Sequence, residues 1–144
     1  MTYDNIVTGT FLKRPNRFIA YVEVKGDVKT CHVKNTGRCQ ELLVPGCTVV
    51  LEFHPKAKEM KRKTEYDLIA VYKGNLLINM DSQAPNQAAL EWIREKEAKG
   101  LSLENVGIPT NIRREVTHGE SRFDLAFELK DEVTGKTVPA FMEV

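Results

Sequence analysis

Residues 17–28 read RFIAYVEVKGDV, a run in which every second residue from Phe18 to Val24 is apolar before a turn. Because successive side chains of a strand point to opposite faces, the alternation predicts a half-buried strand over Arg17–Val24. Lys25-Gly26-Asp27 is a turn signal, and a further strand is predicted over Val28–Val33. The two segments therefore predict a β-meander. The residues on the apolar face of its first strand are Phe18, Ala20, Val22 and Val24.

Short strands bounded by turn residues continue on both sides of this pair through the first 80 residues. A helical turn is predicted over Arg38–Leu43, because Pro45-Gly46 would end any helix there. Five or six strands with one helical turn between the third and the fourth are typical of an OB-type barrel. Residues 1–80 are therefore predicted to form an OB-like β-barrel. Its remaining strands are predicted over Ile6–Lys13, Thr48–Phe53, Tyr66–Tyr72 and Leu76–Asn79.

The patterning changes near Asp81–Pro85 and predicts a second domain over residues 81–144. Asn86–Lys99 has helical periodicity, with Gly100 as its C-cap. A strand over Ile112–Thr117 then leads into two more strands, so a mixed α+β unit is expected. The predicted apolar stripe of the helix is Ala89, Leu90, Trp92 and Ile93.

Composition indicates a folded protein of the cytoplasm. The chain has 144 residues with 42% hydrophobic content, enough for one core or two small ones. Its start has an early acid and no basic or long apolar segment, so neither a signal peptide nor a membrane span is expected. The three cysteines lack Cys-x-x-Cys spacing, which favours small buried thiols over a disulfide framework or a zinc cluster.

Charge is divided unevenly along the chain. Residues 1–80 hold 13 Lys and Arg against 8 Asp and Glu, whereas residues 81–144 hold 8 against 12. Cations that neutralise phosphates release counterions and give affinity without sequence preference, so the first half predicts contact with DNA. The candidate DNA contacts are Lys13, Arg14, Arg17, Lys34, Arg38, Lys61, Arg62 and Lys63.

Arg38 is the strongest single candidate, because its Gly-containing loop would let backbone amides and a guanidinium approach one phosphate. Tyr21, Phe53 and Tyr66 could add stacking faces if single strands are bound. The alternative for the basic loop over residues 56–63 is that its cations only solvate it, since short basic runs are weak motifs.

The end of the chain predicts a β-hairpin with one apolar face. In Phe123–Leu129 and in Val138–Val144 every second residue is apolar, which gives each strand one apolar face. A turn in which Gly135 takes a left-handed conformation would place Leu129 opposite Val138. Counting back in this register puts Asp124 opposite Glu143.

Two facing carboxylates repel unless something compensates their charge. A magnesium ion would do so, because it prefers hard oxygen ligands and keeps several waters. Asp124 and Glu143 are therefore candidate metal ligands. The alternatives are an exposed pair without a ligand, or a bulge at Pro139 that changes the register.

Several motifs together resemble the sugar fermentation stimulation protein A family, in order and spacing, over essentially the whole chain. The motifs are FLKRPNRF (11–18), NTGR (35–38), ELLVPG (41–46), KRKTEYDL (61–68), IRREV (112–116), Gly119–Asp124 and Met142-Glu143-Val144. The resemblance implies an OB-like N-terminal barrel and a C-terminal domain similar to the PD-(D/E)XK nucleases. It also implies DNA binding without marked sequence preference and a bacterial or archaeal regulatory role linked to sugar or maltose metabolism.

The resemblance also implies roles for individual carboxylates. Asp124 and Glu143 match the two acids of the nuclease pattern, where they would be catalytic metal ligands, and Glu91 would be an accessory carboxylate. The lysine of the pattern would follow Val144, so the chain is expected to be a fragment without nuclease activity. A magnesium-dependent DNA nuclease is the alternative function for the longer protein.

Overall fold

A computed structural model describes residues 1–144 and divides them into two compact units, residues 2–83 and residues 84–144 together with Met1. The first unit is built from strands alone. Its strands are β1 (Ile6–Lys13), β2 (Ile19–Val24), β3 (Asp27–Val33), β4 (Thr48–Phe53), β5 (Tyr66–Lys73) and β6 (Leu76–Asn79).

Strand pairing closes five of these strands into a barrel. β1 pairs antiparallel with both β2 and β4, and β5 pairs antiparallel with β4. β3 pairs antiparallel with β2 and parallel with β5, which completes the ring, and β6 extends it from β5. The predicted OB-like barrel is therefore confirmed, because full closure of five strands leaves no free edge among them.

The barrel interior is filled by alternate residues of its strands, as the sequence predicts for Ala20, Val22 and Val24. Phe18 was predicted on the same face, and this was wrong: β2 begins only at Ile19, and the Phe18 ring is half exposed. The other fully buried core residues include Phe11, Cys31, Leu51, Leu68, Val71 and Met80.

Gly9 of β1 lies where a side chain would collide with β2. A Cβ at this position would lie 2.5 Å from Val22 Cγ1 and 2.8 Å from the Glu23 carbonyl oxygen. Both distances are below van der Waals contact, so a side chain here would push the two strands apart.

The predicted helical turn over Arg38–Leu43 is a single hydrogen-bonded turn, and no helix forms there. The amides of Leu42 and Leu43 both donate to the carbonyl of Cys39, at 3.1 and 2.9 Å. Pro45 follows at once and cannot continue a helical ladder. The segment is therefore a compact loop between β3 and β4.

The second unit joins one helix to a three-stranded sheet. Its elements are α1 (Ala84–Lys99), β7 (Ile108–His118), β8 (Ser121–Lys130) and β9 (Thr137–Met142), with sheet order β7-β8-β9. The core consists of two helical and three strand residues, namely Leu90, Ile93, Leu125, Phe127 and Leu129.

The C-cap predicted at Gly100 is confirmed. Gly100 has φ +62°, its amide donates to Glu97 O at 3.1 Å, and the Leu101 amide donates to Lys96 O at 2.9 Å. These two bonds define a Schellman motif. Trp92, in contrast, was predicted on the apolar stripe and is 45% exposed, so this prediction was wrong.

The predicted hairpin register is confirmed. Leu129 pairs with Val138, and the Asp131 amide donates to Lys136 O across a turn where Gly135 has φ +71°. The pairing runs without a bulge at Pro139 as far as Leu125 opposite Met142. The helix of this unit is too short and too polar to cross a membrane.

Candidate functional site

Arg14, at the end of β1, acts as a clamp on the loop that carries Arg38. One terminal nitrogen of its guanidinium donates to the carbonyls of Gly37 and Arg38, and the other donates to those of Arg17 and Asn35, all at 2.7 Å. Only its buried Nε lacks a partner. The planar guanidinium group directs its N–H donors at fixed angles, which matches four carbonyls that converge on it. With these donors used, the Arg14 guanidinium has little capacity left to bind phosphate.

A surface groove of about 290 Å³ lies beside this clamp. Arg17 and Arg38 line it, both are exposed, and neither guanidinium donates to another group of the protein. The Arg17 guanidinium lies 4.9 Å from the centre of the Phe18 ring, which is a cation–π contact. The groove therefore presents two guanidinium groups without a hydrogen-bond partner, one on each of two loops whose backbone carbonyls Arg14 binds.

The basic loop is also ordered by its backbone. The amide of Lys61 donates to Lys58 O at 3.1 Å and that of Arg62 to Ala57 O at 2.8 Å, while Lys61 has φ +54°. This is the bonding pattern of a Schellman motif. Lys61 and Lys63 point into solvent, and Lys63 lines a second groove of about 420 Å³.

Arg62, in the same loop, turns inward. Its guanidinium donates to Asp67 Oδ1 at 2.6 Å, and the Asp67 side chain is only 5% exposed. A buried carboxylate requires a partner of this kind, so the Arg62 charge is neutralised within the protein.

Lys34, which follows β3, is likewise paired within the first unit. Its ammonium lies 2.8 Å from Asp81 Oδ2, which also accepts from the Tyr3 hydroxyl, and the Asp81 side chain is fully buried. Burial alone would raise the pKa of Asp81, but hydrogen bonds from Lys34, the Gln83 amide and Tyr3 hold it below the usual value. Burial would lower the pKa of Lys34, and Asp81 raises it above its usual value.

This pair predicts a specific loss of stability in acid. Because the folded pKa of Asp81 is depressed, its contribution is present above its unfolded pKa of about 4 and is lost as pH falls through the folded value. Urea unfolding at several pH values should therefore show a weaker acid dependence in Asp81→Asn than in the unmodified protein. Asp27→Asn, at an exposed turn, is the control and should retain the dependence.

The eight predicted DNA contacts thus fall into two groups. Three are engaged within the protein, namely Arg14, Lys34 and Arg62. Five are exposed, namely Lys13, Arg17, Arg38, Lys61 and Lys63. All eight remain predictions as DNA contacts, and the exposed group has the charge that a phosphate could use.

The predicted metal ligands lie in the second unit. Continuing the β8–β9 register by one residue sets Asp124 opposite Glu143. Asp124 Oδ1 accepts from the side-chain Nδ2 of Asn86 at 3.0 Å, and Oδ2 accepts from the backbone amide of Val144 at 2.9 Å. Glu91 accepts instead from Gln87 at 2.8 Å and does not complete a three-ligand group with the other two acids.

A different set of potential metal ligands converges in the barrel, and sequence reasoning missed it. One ligand atom each from Glu52, His54 and Asp67 lies within 4.8 Å of the other two. The spacing Glu52-x-His54 places both side chains on one face of β4 and its extension, which the sequence could have indicated. Asp67 is distant along the chain and is brought beside them by the cross-strand pairing of β5 with β4, in which it lies opposite Glu52.

Known proteins are similar to this chain over its whole length. The SfsA N-terminal OB domain matches residues 12–80. A sugar fermentation stimulation protein homolog of Alkaliphilus oremlandii is 52% identical over 145 residues, covering 100% of this chain and 57% of that relative. A homolog of Clostridium beijerinckii is 48% identical over 143 residues, covering 96% of this chain and 59% of its own length.

The chain belongs to the sugar fermentation stimulation protein A (SfsA) family. A solved structure, that of Pyrococcus furiosus SfsA in complex with Ca²⁺, superposes with a TM-score of 0.71 at 25% identity. It covers 99% of this chain, which in turn covers 55% of that SfsA chain. The similarity confirms an OB domain followed by the first part of the nuclease-like domain. The chain spans a little over half the length of the SfsA relatives that it matches.

Proposed function

We propose that this chain binds DNA without marked sequence preference, through phosphate contacts made by exposed cations of the barrel. The observation that carries the proposal is the groove in which Arg17 and Arg38 present free guanidinium groups. Guanidinium binds phosphate oxygens in a bidentate manner, and such contacts fix position without reading sequence. Lys13, Lys61 and Lys63 would add further phosphate contacts.

Exposed aromatic side chains bear on whether single-stranded or double-stranded DNA is bound. Phe53 and Tyr66 pack against each other with ring centres 5.1 Å apart, so each already covers part of the other's face. Phe18 and Tyr21 are 49% and 37% exposed. If single strands are bound, Phe18 and Tyr21 would offer the more accessible stacking faces.

The salt dependence of binding tests this proposal. Log affinity for duplex DNA falls with log salt by about 0.9 for each phosphate neutralised. The double variant Arg17→Ala/Arg38→Ala should therefore flatten the slope by about 1.8, measured by fluorescence anisotropy on a mixed-sequence duplex. The control Lys25→Ala/Lys73→Ala removes two exposed lysines at hairpin turns and should leave the slope near that of the unmodified protein.

The basic loop is tested in the same assay by Lys61→Ala/Lys63→Ala. Arg62 is left in place, because its guanidinium holds the buried Asp67 and its loss would disturb the fold. If neither double variant changes the slope of log affinity against log salt, then neither the groove nor the basic loop is part of the DNA-binding surface. The name of the relatives connects them with sugar fermentation, and we extend this to a regulatory role of DNA binding in sugar or maltose metabolism.

A magnesium-dependent DNA nuclease is the second candidate function, favoured by the register that sets Asp124 opposite Glu143. Both Asp124 oxygens accept only from neutral donors, so its negative charge is free to hold a hard cation. The P. furiosus relative was solved with Ca²⁺, an ion of the same ligand preference. A bound magnesium ion would polarise a phosphate and activate water.

Cleavage is tested on a protein that continues past Val144 to the length of its relatives. Metal-dependent DNA cleavage that Asp124→Asn abolishes would support the nuclease, and Asp131→Asn, at the hairpin turn, is the control. DNA binding without cleavage in any divalent ion would leave a binding protein on a nuclease-like scaffold.

A further inference from the structure

A cluster on the barrel wall combines one imidazole with two carboxylates. His54 Nε2 lies 2.9 Å from Asp67 Oδ2 and 3.5 Å from Glu52 Oε1. Glu52 and Asp67 are cross-strand partners on β4 and β5, and His54 follows β4 directly. The His54 backbone is itself fixed, because its amide donates to Glu65 O at 2.7 Å. Two strands of the closed barrel therefore position all three side chains.

Each carboxylate of the cluster is held by its other oxygen. Glu52 Oε2 accepts from the Asp4 amide at 2.8 Å, and Asp67 Oδ1 accepts from Arg62 at 2.6 Å. Outer donors of this kind orient ligating groups around metal ions. The oxygens that remain, Glu52 Oε1 and Asp67 Oδ2, face the same ring nitrogen.

Hydrogen bonding within the protein does not satisfy this arrangement. His54 Nε2 carries at most one proton and can give it to only one of the two oxygens. At 3.5 Å, Glu52 Oε1 is beyond a good hydrogen bond and accepts from no other group of the protein. The two carboxylates also share one guanidinium, that of Arg62, where the Asp67 side chain is only 5% exposed. The other basic group beside Asp67 is the His32 ring, whose Nδ1 lies 3.4 Å from Oδ1.

We propose that Glu52, His54 and Asp67 form a site for a divalent transition-metal ion of the zinc type. One cation would take the place of the single shared proton and bond to all three convergent atoms, while the imidazole proton moves to Nδ1. An imidazole ligand favours zinc and its neighbours over magnesium and calcium, which prefer oxygen alone. Three protein ligands leave a coordination position for water.

This site is separate from the one proposed at Asp124 and Glu143. It lies in the other unit and uses a nitrogen ligand, so it does not depend on nuclease activity or on DNA binding. A metal here would join β4, β5 and the segment after β4, and would thereby stabilise the barrel wall.

Zinc titration of the chelator-treated 144-residue chain, by isothermal calorimetry, tests the proposal. Cys39→Ser/Cys47→Ser serves as the background, because these two free thiols are partly exposed and a thiolate is itself a zinc ligand. Cys31 is kept, since burial raises the pKa of its thiol to about 12. We expect one zinc per chain in this background, and an affinity at least about tenfold weaker after His54→Ala.

Two controls separate this site from others. His118→Ala removes an exposed histidine of the second unit, and Asp124→Asn removes the predicted nuclease ligand. Both should keep the zinc affinity of the background. Loss of affinity in Asp124→Asn with retention in His54→Ala would overturn the proposal.

Histidine ring nitrogens, followed by ¹⁵N NMR in the chain with its native histidines, make the test independent of whether His54→Ala folds. Zinc should shift the His54 Nε2 signal and leave those of His118 in place. Unshifted His54 signals at saturating zinc, or no zinc binding at all, would mean that the cluster is a closed hydrogen-bonded network.

Discussion

Arg14→Met is expected to lower the free energy of unfolding of the barrel by about 3 kcal/mol or more. Methionine has a similar length but removes the four bonds that Arg14 donates to backbone carbonyls. Hydrogen bonds to a charged group contribute about 1.5–3 kcal/mol each, and partial exposure lets water replace some of them. Urea denaturation of the purified variant measures the loss.

Arg17→Met is the matched control for this substitution. It removes an exposed guanidinium three residues away and leaves the Arg17 carbonyl that Arg14 contacts. Its effect on stability should stay within about 0.5 kcal/mol, as for other surface changes. Equal losses in both variants would show that Arg14 acts as a surface charge and not as a clamp.

Arg14→Lys separates the shape of the loop from its charge. Lysine keeps the positive charge but has a compact head that cannot span four carbonyls. We expect an intermediate loss of stability together with weaker DNA binding, because Arg38 would lose its fixed position beside the groove. Unchanged DNA affinity in this variant would argue that the groove needs only net charge.

Much of the fold could be predicted because the barrel strands are short and end at clear turn residues. The bounds of Ile6–Lys13, Thr48–Phe53 and Leu76–Asn79 are the same in the sequence prediction and in the structure. Gly135 was sufficient to set the hairpin register, since its left-handed conformation determines where the turn closes. In these places local chemistry and tertiary structure agree.

The predictions were wrong where the local sequence pattern does not determine how the residues pack. β7 was predicted from Ile112 and begins at Ile108, because the pairing shifts between Thr110 and Arg113, with Asn111 at φ +52°. A bulge interrupts the two-residue alternation on which the prediction depends. Trp92 follows helical spacing but lies at the border of the stripe, and its ring stays half exposed, 5.8 Å from the Lys96 ammonium.

For the candidate site, the sequence predicted which charged residues are present but not which of them are paired within the protein. A sequence shows how many cations a segment has, but the direction of each depends on acceptors that are distant along the chain. Lys34 and Asp81 are 47 residues apart, and they meet only because the barrel closes. The Glu52–His54–Asp67 cluster was missed for the same reason, since it depends on the register of β4 with β5.

Arg62→Met is expected to destabilise the barrel by about 3–5 kcal/mol. Removing one member of a buried ion pair leaves the other charge poorly compensated, because Asp67 is 5% exposed and would keep only the His54 and His32 rings, at 2.9 and 3.4 Å. The matched control is Lys63→Met, the next residue of the same loop, which is exposed and should change stability by about 0.5 kcal/mol or less. Thermal and urea unfolding of the two variants give the comparison.

The double variant Arg62→Met/Asp67→Leu distinguishes loss of a favourable pair from burial of a lone charge. Replacing both partners with apolar groups is often neutral, so the double variant should recover most of the stability lost in Arg62→Met. DNA binding by Arg62→Met, measured where it remains folded, should keep the salt slope of the unmodified protein, because the Arg62 charge is used internally. A flatter salt dependence of DNA binding, together with unchanged stability, would instead show that Arg62 contacts DNA.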